Sequence, residues 1–163
     1  ICMEILKARE YGMTAMVLVQ HTSHGDTLLK LFDDIGIRAR YIRGEDDQGE
    51  RKSALTELAN KNIDVLIGTT ILDVGVDVPA VGLIILAGGG KAEVALRQRI
   101  GRGLRAKKFG PNVAFIVDFT DQHNSTLKSH ARQRLQIIRE TPGFGENIVA
   151  NFEFEKLGFK KAA

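Results

Sequence analysis

The chain has 163 residues, of which 44% are hydrophobic and 26% are charged, and its formal net charge is +3. This length fits one well-buried domain, and the composition is that of an ordinary globular protein. No apolar run is long enough to span a membrane, no signal peptide is visible, and the single cysteine excludes an internal disulfide and suits a reducing cytosol.

Short apolar runs alternate with longer stretches of helical periodicity along most of the chain. Strands are predicted over residues 15–20, 38–42, 64–68, 81–86 and 113–118. Helices are predicted over residues 26–35, 48–60, 91–102 and 126–139. Strands that are apolar on both faces and separated by helices indicate a parallel sheet covered on each side. The predicted fold class is therefore α/β, a three-layer αβα sandwich with a mostly parallel sheet.

The two ends of the chain are less regular than its centre. The first residue is Ile1, inside a helical pattern, so we expect a fragment of a longer protein cut at a domain boundary. Beyond Thr141 the residues PGFGEN predict a turn, and residues 149–159 fit a strand as well as a helix. The predicted division is one domain over residues 1–140 and an extension of uncertain structure over residues 141–163.

The loop after the third predicted strand reads GTTILDVGVDVPAV, residues 68–81. Ligands of parallel α/β sheets bind beyond the carboxyl ends of the strands, where the hydroxyls of Thr69 and Thr70 can hold a phosphate. Gly75 permits close backbone approach, and Asp77 can accept hydrogen bonds from a ribose or pair with an arginine. The alternative is an ordinary strand-to-helix loop whose threonines cap a helix.

The segment QRIGRGLR, residues 98–105, combines cations with glycines. On a helix, Gln98, Arg102 and Arg105 lie on one side and apolar residues lie on the other. Guanidinium groups are permanently charged forks that suit phosphate oxygens. The alternative is a solvated cationic face. Gly101 and Gly103 argue against it, because each costs about 1 kcal/mol in a helix.

Several other polar clusters have simpler interpretations. The GGGK run at residues 88–91 lacks the spacing and the hydroxyl of a phosphate-binding loop. His21 and His24 flank a strand end without further ligands at metal-binding spacing, so no zinc or other metal site is expected. Asp46 and Asp47 lie in a predicted turn and are expected to be solvated charges.

Two of these segments resemble one family in the right order. GTTILDVGVDVPAV is similar to motif V, and QRIGRGLR is similar to motif VI, of the superfamily 2 helicases and translocases. HTSH after the first strand is similar to the motif IV region, and residues 42–70 resemble the stretch of strand, turn, arginine-bearing helix and strand between motifs IV and V. The resemblance covers roughly residues 14–120.

The resemblance implies the second, C-terminal RecA-like domain of a helicase core. Arg102 and Arg105 match the arginines that approach the terminal phosphates of ATP, which the N-terminal RecA-like domain binds with Mg2+. Gln98 matches a position beside the nucleotide, and Gly75 and Asp77 match motif V positions near the γ-phosphate and ribose. The fragment alone is expected to be inactive, because it lacks the phosphate loop and the acidic strand end.

The same resemblance implies contacts with a nucleic-acid backbone. Thr69, with Thr70 beside it, matches the motif V hydroxyl contact. The other positions expected to touch the backbone are His21, Thr22, Arg43 and Gly44. The wording of motifs V and VI favours DNA over RNA and a phage or repair helicase, in the cytoplasm or nucleoid, without a membrane partner. The alternatives are a double-stranded DNA translocase, an RNA helicase, a non-catalytic RecA-like binding module and a small-molecule nucleotide binder.

Overall fold

A computed structural model of the protein describes residues 1–69, 81–88, 111, 113–140 and 148–163. The described elements are α1 (Cys2–Glu10), β1 (Ala15–Leu18), α2 (Thr22–Asp34), β2 (Ala39–Ile42), α3 (Gln48–Ala59), β3 (Val65–Gly68), β4 (Leu83–Leu86), β5 (Phe115–Asp118), α4 (Ser125–Glu140) and a 3-10 helix (Phe154–Leu157). The predicted helix over residues 91–102 lies outside these ranges. No helix within them is both long and apolar enough to span a membrane.

The five strands form one sheet in the order β2-β3-β1-β4-β5, and every neighbouring pair is parallel. The strands also share one register at their carboxyl ends. Leu18 at the end of β1 pairs with Gly68 and Leu86, Gly68 pairs with Ile42, and Leu86 pairs with Asp118. The predicted parallel sheet is confirmed, and the last residues of its strands are direct neighbours across the sheet.

The core lies on both faces of the sheet. One face packs against α1 and α2 through Ile5, Leu28 and Phe32. The other face packs against α3 through Ala54, Leu55 and Leu58. Successive residues of a strand point to opposite faces, so Met16 and Val17 join different clusters and both are fully buried. This arrangement is the predicted three-layer α/β sandwich.

Helix α2 differs from its prediction in its first residue and in the width of its buried face. It begins at Thr22, four residues before the predicted start at residue 26. The early start depends on Gly25, because a β-carbon there would lie 2.6 Å from Cε1 of the Tyr41 ring. The buried stripe is also narrower than predicted, since Leu31 and Ile35 are 45% and 43% exposed.

The C-terminal segment, residues 148–163, packs on the first helix and the edge strand. Phe154, in the 3-10 helix, is 2% exposed, and its ring centroid lies 4.7 Å from that of Phe115 on β5. Lys7 Nζ donates to the carbonyl of Phe152 at 2.9 Å, and the amide of Ala162 donates to Glu10 at 2.7 Å. A short 3-10 turn thus occupies the stretch whose pattern fitted both a strand and a helix.

Candidate functional site

The candidate site lies along the carboxyl edge of the sheet, where three predicted segments meet. Arg43 directly follows β2 and Thr69 directly follows β3, and these two strands are hydrogen-bonded neighbours in register. On the other side of β3 is β1, and α2 begins at Thr22 shortly after β1 ends. The strand order therefore brings the loops after β2, β3 and β1 side by side.

The N-terminus of α2 is open to solvent. His21 occupies the N-cap position with an extended backbone, and its side chain makes no capping hydrogen bond. The amides of Thr22 and Ser23 have no acceptor among the described residues. Helix α3 differs, because the Oδ1 of Asp47 accepts from the amide of Glu50 at 2.8 Å. Unsatisfied amides and the positive end of the helix dipole together make the start of α2 suitable for an anion.

The guanidinium of Arg43 is held against the neighbouring strand and helix. It lies 4.5 Å from the ring centroid of Tyr41, and its Nη2 donates to Oδ1 of Asp26 on α2. The hydrogen bond to Asp26 raises the pKa of Arg43 above its ordinary value. Burial raises the pKa of Tyr41, and the nearby charge of Arg43 counters part of that rise. The Tyr41 hydroxyl donates to the carbonyl of Thr22 at 3.3 Å, which ties the β2 end to the start of α2.

The turn after β2 is fixed by side chains that sequence reasoning had not assigned. The amide of Arg43 donates to Oδ2 of Asp46 at 2.6 Å, and Arg51 Nη2 donates to the carbonyl of Gly44 at 2.6 Å. Asp46 and Asp47 therefore stabilise a turn and a helix cap, so the expectation of solvated charges was incomplete: Asp47 is exposed and Asp46 partly exposed, but both accept hydrogen bonds. A sequence signal for Asp47 existed, because aspartate before a helix is a preferred N-cap.

A cleft of ≈ 320 Å³ lies farther along the same edge, between the ends of β1 and β4. The connection that leaves β1 leads toward β2 on one side of the cleft, and the connection that leaves β4 leads to β5 on the other side. The strand order therefore reverses between β1 and β4. Such a switch point is where open α/β sheets bind ligands. The described lining residues are Gln20, His21, His24, Ala87, Gly88, Leu127 and His130.

The far end of the edge is fastened by a buried cation. Arg134 of α4 is 3% exposed, and its Nε donates to Oδ2 of Asp118 at 2.9 Å. Its Nη2 donates to the carbonyl of Phe119 at 3.0 Å. These contacts hold α4 beside the carboxyl end of β5.

The predicted nucleotide-contact residues lie outside the described ranges. These are Gln98, Arg102, Arg105, Gly75 and Asp77, together with Thr70 of the nucleic-acid set. Their roles remain predictions. Within the described ranges, no group of three or more histidine, cysteine or acidic side chains is placed to hold a metal ion.

Curated relatives of the chain include a UvrABC system protein and an RNA helicase. The chain is 34% identical over 145 residues to UvrABC system protein B of Thermotoga petrophila, covering 82% of this chain and 21% of that protein. It is 30% identical over 113 residues to the pre-mRNA-splicing ATP-dependent RNA helicase prp28 of Schizosaccharomyces pombe, covering 69% of this chain and 17% of that protein. The chain thus spans about a fifth of such relatives.

Solved structures share the fold. T4 UvsW matches with a TM-score of 0.63 and 23% identity, over 85% of this chain and 31% of that chain. The E. coli DEAD-box protein SrmB matches with a TM-score of 0.63 and 22% identity, over 81% of this chain and 76% of that chain. The family described as helicase conserved C-terminal domain matches residues 1–107. The chain therefore belongs to that family and is the C-terminal RecA-like domain of a superfamily 2 helicase.

Proposed function

We propose that the chain is the second motor domain of an ATP-dependent superfamily 2 DNA helicase. Residues 1–140 form the motor domain and residues 141–163 are appended to it. Arg102 and Arg105 complete the site of an ATP that the N-terminal RecA-like domain holds with Mg2+. An arginine supplied from outside a nucleotide site can raise the rate of phosphoryl transfer by ~10³–10⁵, and closure of the two domains positions it.

The observation that carries the proposal is the convergence of backbone-binding groups at the carboxyl edge. Thr69 and Arg43 directly follow adjacent, in-register strands, and the open amides of α2 begin at Thr22, shortly after the end of the next strand, β1. Amides at a helix start, a hydroxyl and a guanidinium are the groups that contact phosphates irrespective of base sequence. A nucleic-acid strand bound along this edge also contacts Gly44 and His21, which lie in the same loops.

The ATPase rate of the full-length protein tests the nucleotide half of the proposal. We expect Arg102→Ala and Arg105→Ala each to lower nucleic-acid-stimulated ATP hydrolysis by at least tenfold. Lys160→Ala removes one exposed cation from the C-terminal segment and serves as the charge control, with an unchanged rate. A fall of less than threefold in both arginine variants would contradict the assignment and favour a non-catalytic binding module.

The choice of DNA rests on the wording VDVPAV and QRIGRGLR, while the likeness to prp28 favours RNA as the second candidate. Competition between DNA and RNA strands of one sequence, measured by ATPase stimulation, separates the two. We expect DNA to stimulate more strongly. A strand-displacement assay then distinguishes a helicase from a double-stranded DNA translocase, which hydrolyses ATP without separating strands.

A further inference from the structure

The ion pair between Asp26 and Arg43 lies inside the proposed nucleic-acid contact. The Asp26 side chain is 53% exposed and the Arg43 side chain is 37% exposed, so both reach solvent at the carboxyl edge. Arg43 directs one Nη2 hydrogen bond to Asp26. A guanidinium carries five donors in a fork, and a phosphate approaching this face meets an arginine that already has an anionic partner.

Two groups besides Asp26 also position Arg43. The Tyr41 ring supports the guanidinium from one side at 4.5 Å. The Arg43 amide is fixed by Asp46 at 2.6 Å. The ring contact remains open to Arg43 when Asp26 is not its partner. The carboxylate of Asp26 is therefore not the only group that positions Arg43, and it adds a negative charge beside the guanidinium.

That charge has the sign of a nucleic-acid phosphate. Asp26 lies in the second turn of α2, close to the helix start that attracts anions. We propose that Asp26 is an internal counter-anion, which pairs with Arg43 when the strand is absent and is exchanged for a backbone phosphate when it binds. This inference rests on the proposed function, because it assumes that Arg43 contacts the nucleic-acid backbone.

The exchange has a mechanical consequence for a domain that moves along a strand. When Arg43 releases a phosphate it pairs with Asp26 again, so release does not leave the arginine without an anionic partner. The phosphate contact replaces an existing ion pair, so its net gain is smaller than that of a free arginine. Weak, rapidly reversed contacts of this kind suit a motor that must release the backbone at every step.

Equilibrium binding of the full-length protein to a fluorescein-labelled oligodeoxythymidine tests the exchange. Removing the competing carboxylate in Asp26→Asn is expected to tighten binding by about two- to fivefold, the factor that corresponds to an exposed ion pair. Asp34→Asn is the matched control, because it removes an equal charge from an exposed aspartate of the same helix. It is expected to shift the affinity less than twofold.

A double-mutant cycle with Arg43→Gln separates the inference from the function on which it rests. We expect Arg43→Gln to weaken binding, and Asp26→Asn to match the Asp34→Asn control once Arg43 is absent. If Arg43→Gln weakens binding but Asp26→Asn binds no more tightly than the control, Asp26 is not a competitor and the inference alone is overturned. If Arg43→Gln binds like the wild type, the Arg43 contact of the proposed function fails, and the inference fails with it.

Discussion

Phe154 packs the C-terminal segment against the rest of the domain, and replacing its side chain by alanine measures how much this packing stabilises the fold. The side chain is 2% exposed and belongs to the same buried cluster as Ile5 and Phe32. Its ring also lies 5.0 Å from the ring of Tyr11 and 4.7 Å from that of Phe115. Phe154→Ala therefore removes a ring from a site bordered by α1 and β5, and neither element can collapse into the cavity without shifting the sheet.

The expected loss follows from that burial. Replacing a buried phenylalanine by alanine costs about 3–5 kcal/mol of unfolding free energy. At about 2–4 °C per kcal/mol for a chain of this size, the melting temperature should fall by roughly 10 °C. Urea denaturation of the 163-residue chain, followed by circular dichroism, measures the free energy directly. Leu157→Ala, in the same 3-10 helix but 47% exposed, is the control and should change stability by about 0.5 kcal/mol or less. Equal losses for the two variants would refute the reasoning.

Two further substitutions probe the sheet and its helices. Burial by itself would raise the pKa of the Asp64 carboxyl, but the hydrogen bonds from Arg38 and the charges of Arg38 and Arg9 together lower that pKa below its ordinary value. Its stabilisation is therefore complete above the ordinary carboxyl pKa and is lost as the pH falls through the lowered value. Asp64→Asn should cost about 1–3 kcal/mol at pH 7, and the difference from wild type should shrink in acid, as urea titrations at several pH values will show. Gly25→Ala should destabilise the chain by about 1–3 kcal/mol despite alanine's better helix propensity, because its β-carbon meets the Tyr41 ring. A stabilised Gly25→Ala variant in the same titration would contradict that packing.

The three central strands β1, β3 and β4 were predictable because each is an apolar run that is buried along its whole length, which is the pattern of a strand covered on both faces. Their order was not, since β1, β3 and β4 are all fully buried and their composition does not distinguish neighbours. The start of α2 was missed for a related reason. Residues Thr22 to Gly25 carry no large apolar side chain, and a glycine ordinarily weakens a helix. Only the position of Tyr41, sixteen residues away in sequence, explains why Gly25 belongs there.

The candidate site also has a part that the sequence predicted and a part that it did not. Arg43, Thr69 and Thr22 were identified from their places after strands and from a family resemblance, and the register brings their backbones together. The ion-pair partner of Arg43 could not be identified from the sequence. Asp26 is seventeen residues from Arg43 in sequence, and several other acidic residues, both glutamates and aspartates, lie closer to Arg43 along the chain. Pairing across such a distance is decided by the packing of α2 on β2, which periodicity alone does not specify.

The two ends of β2 carry arginines that form different kinds of ion pair. Before the strand, Arg38 donates to Asp64 through its amide, Nε and Nη2, and Asp64 is 9% exposed. Such a pair is costly to break, because it would leave a charge with little access to water. After the strand, Arg43 pairs with the exposed Asp26 through one side-chain hydrogen bond. An exposed pair contributes about 0–1 kcal/mol, so a phosphate can replace Asp26 without unfolding anything. The arginine at the amino end therefore stabilises the sheet, and the exposed pair at the carboxyl end is the one for which we propose exchange.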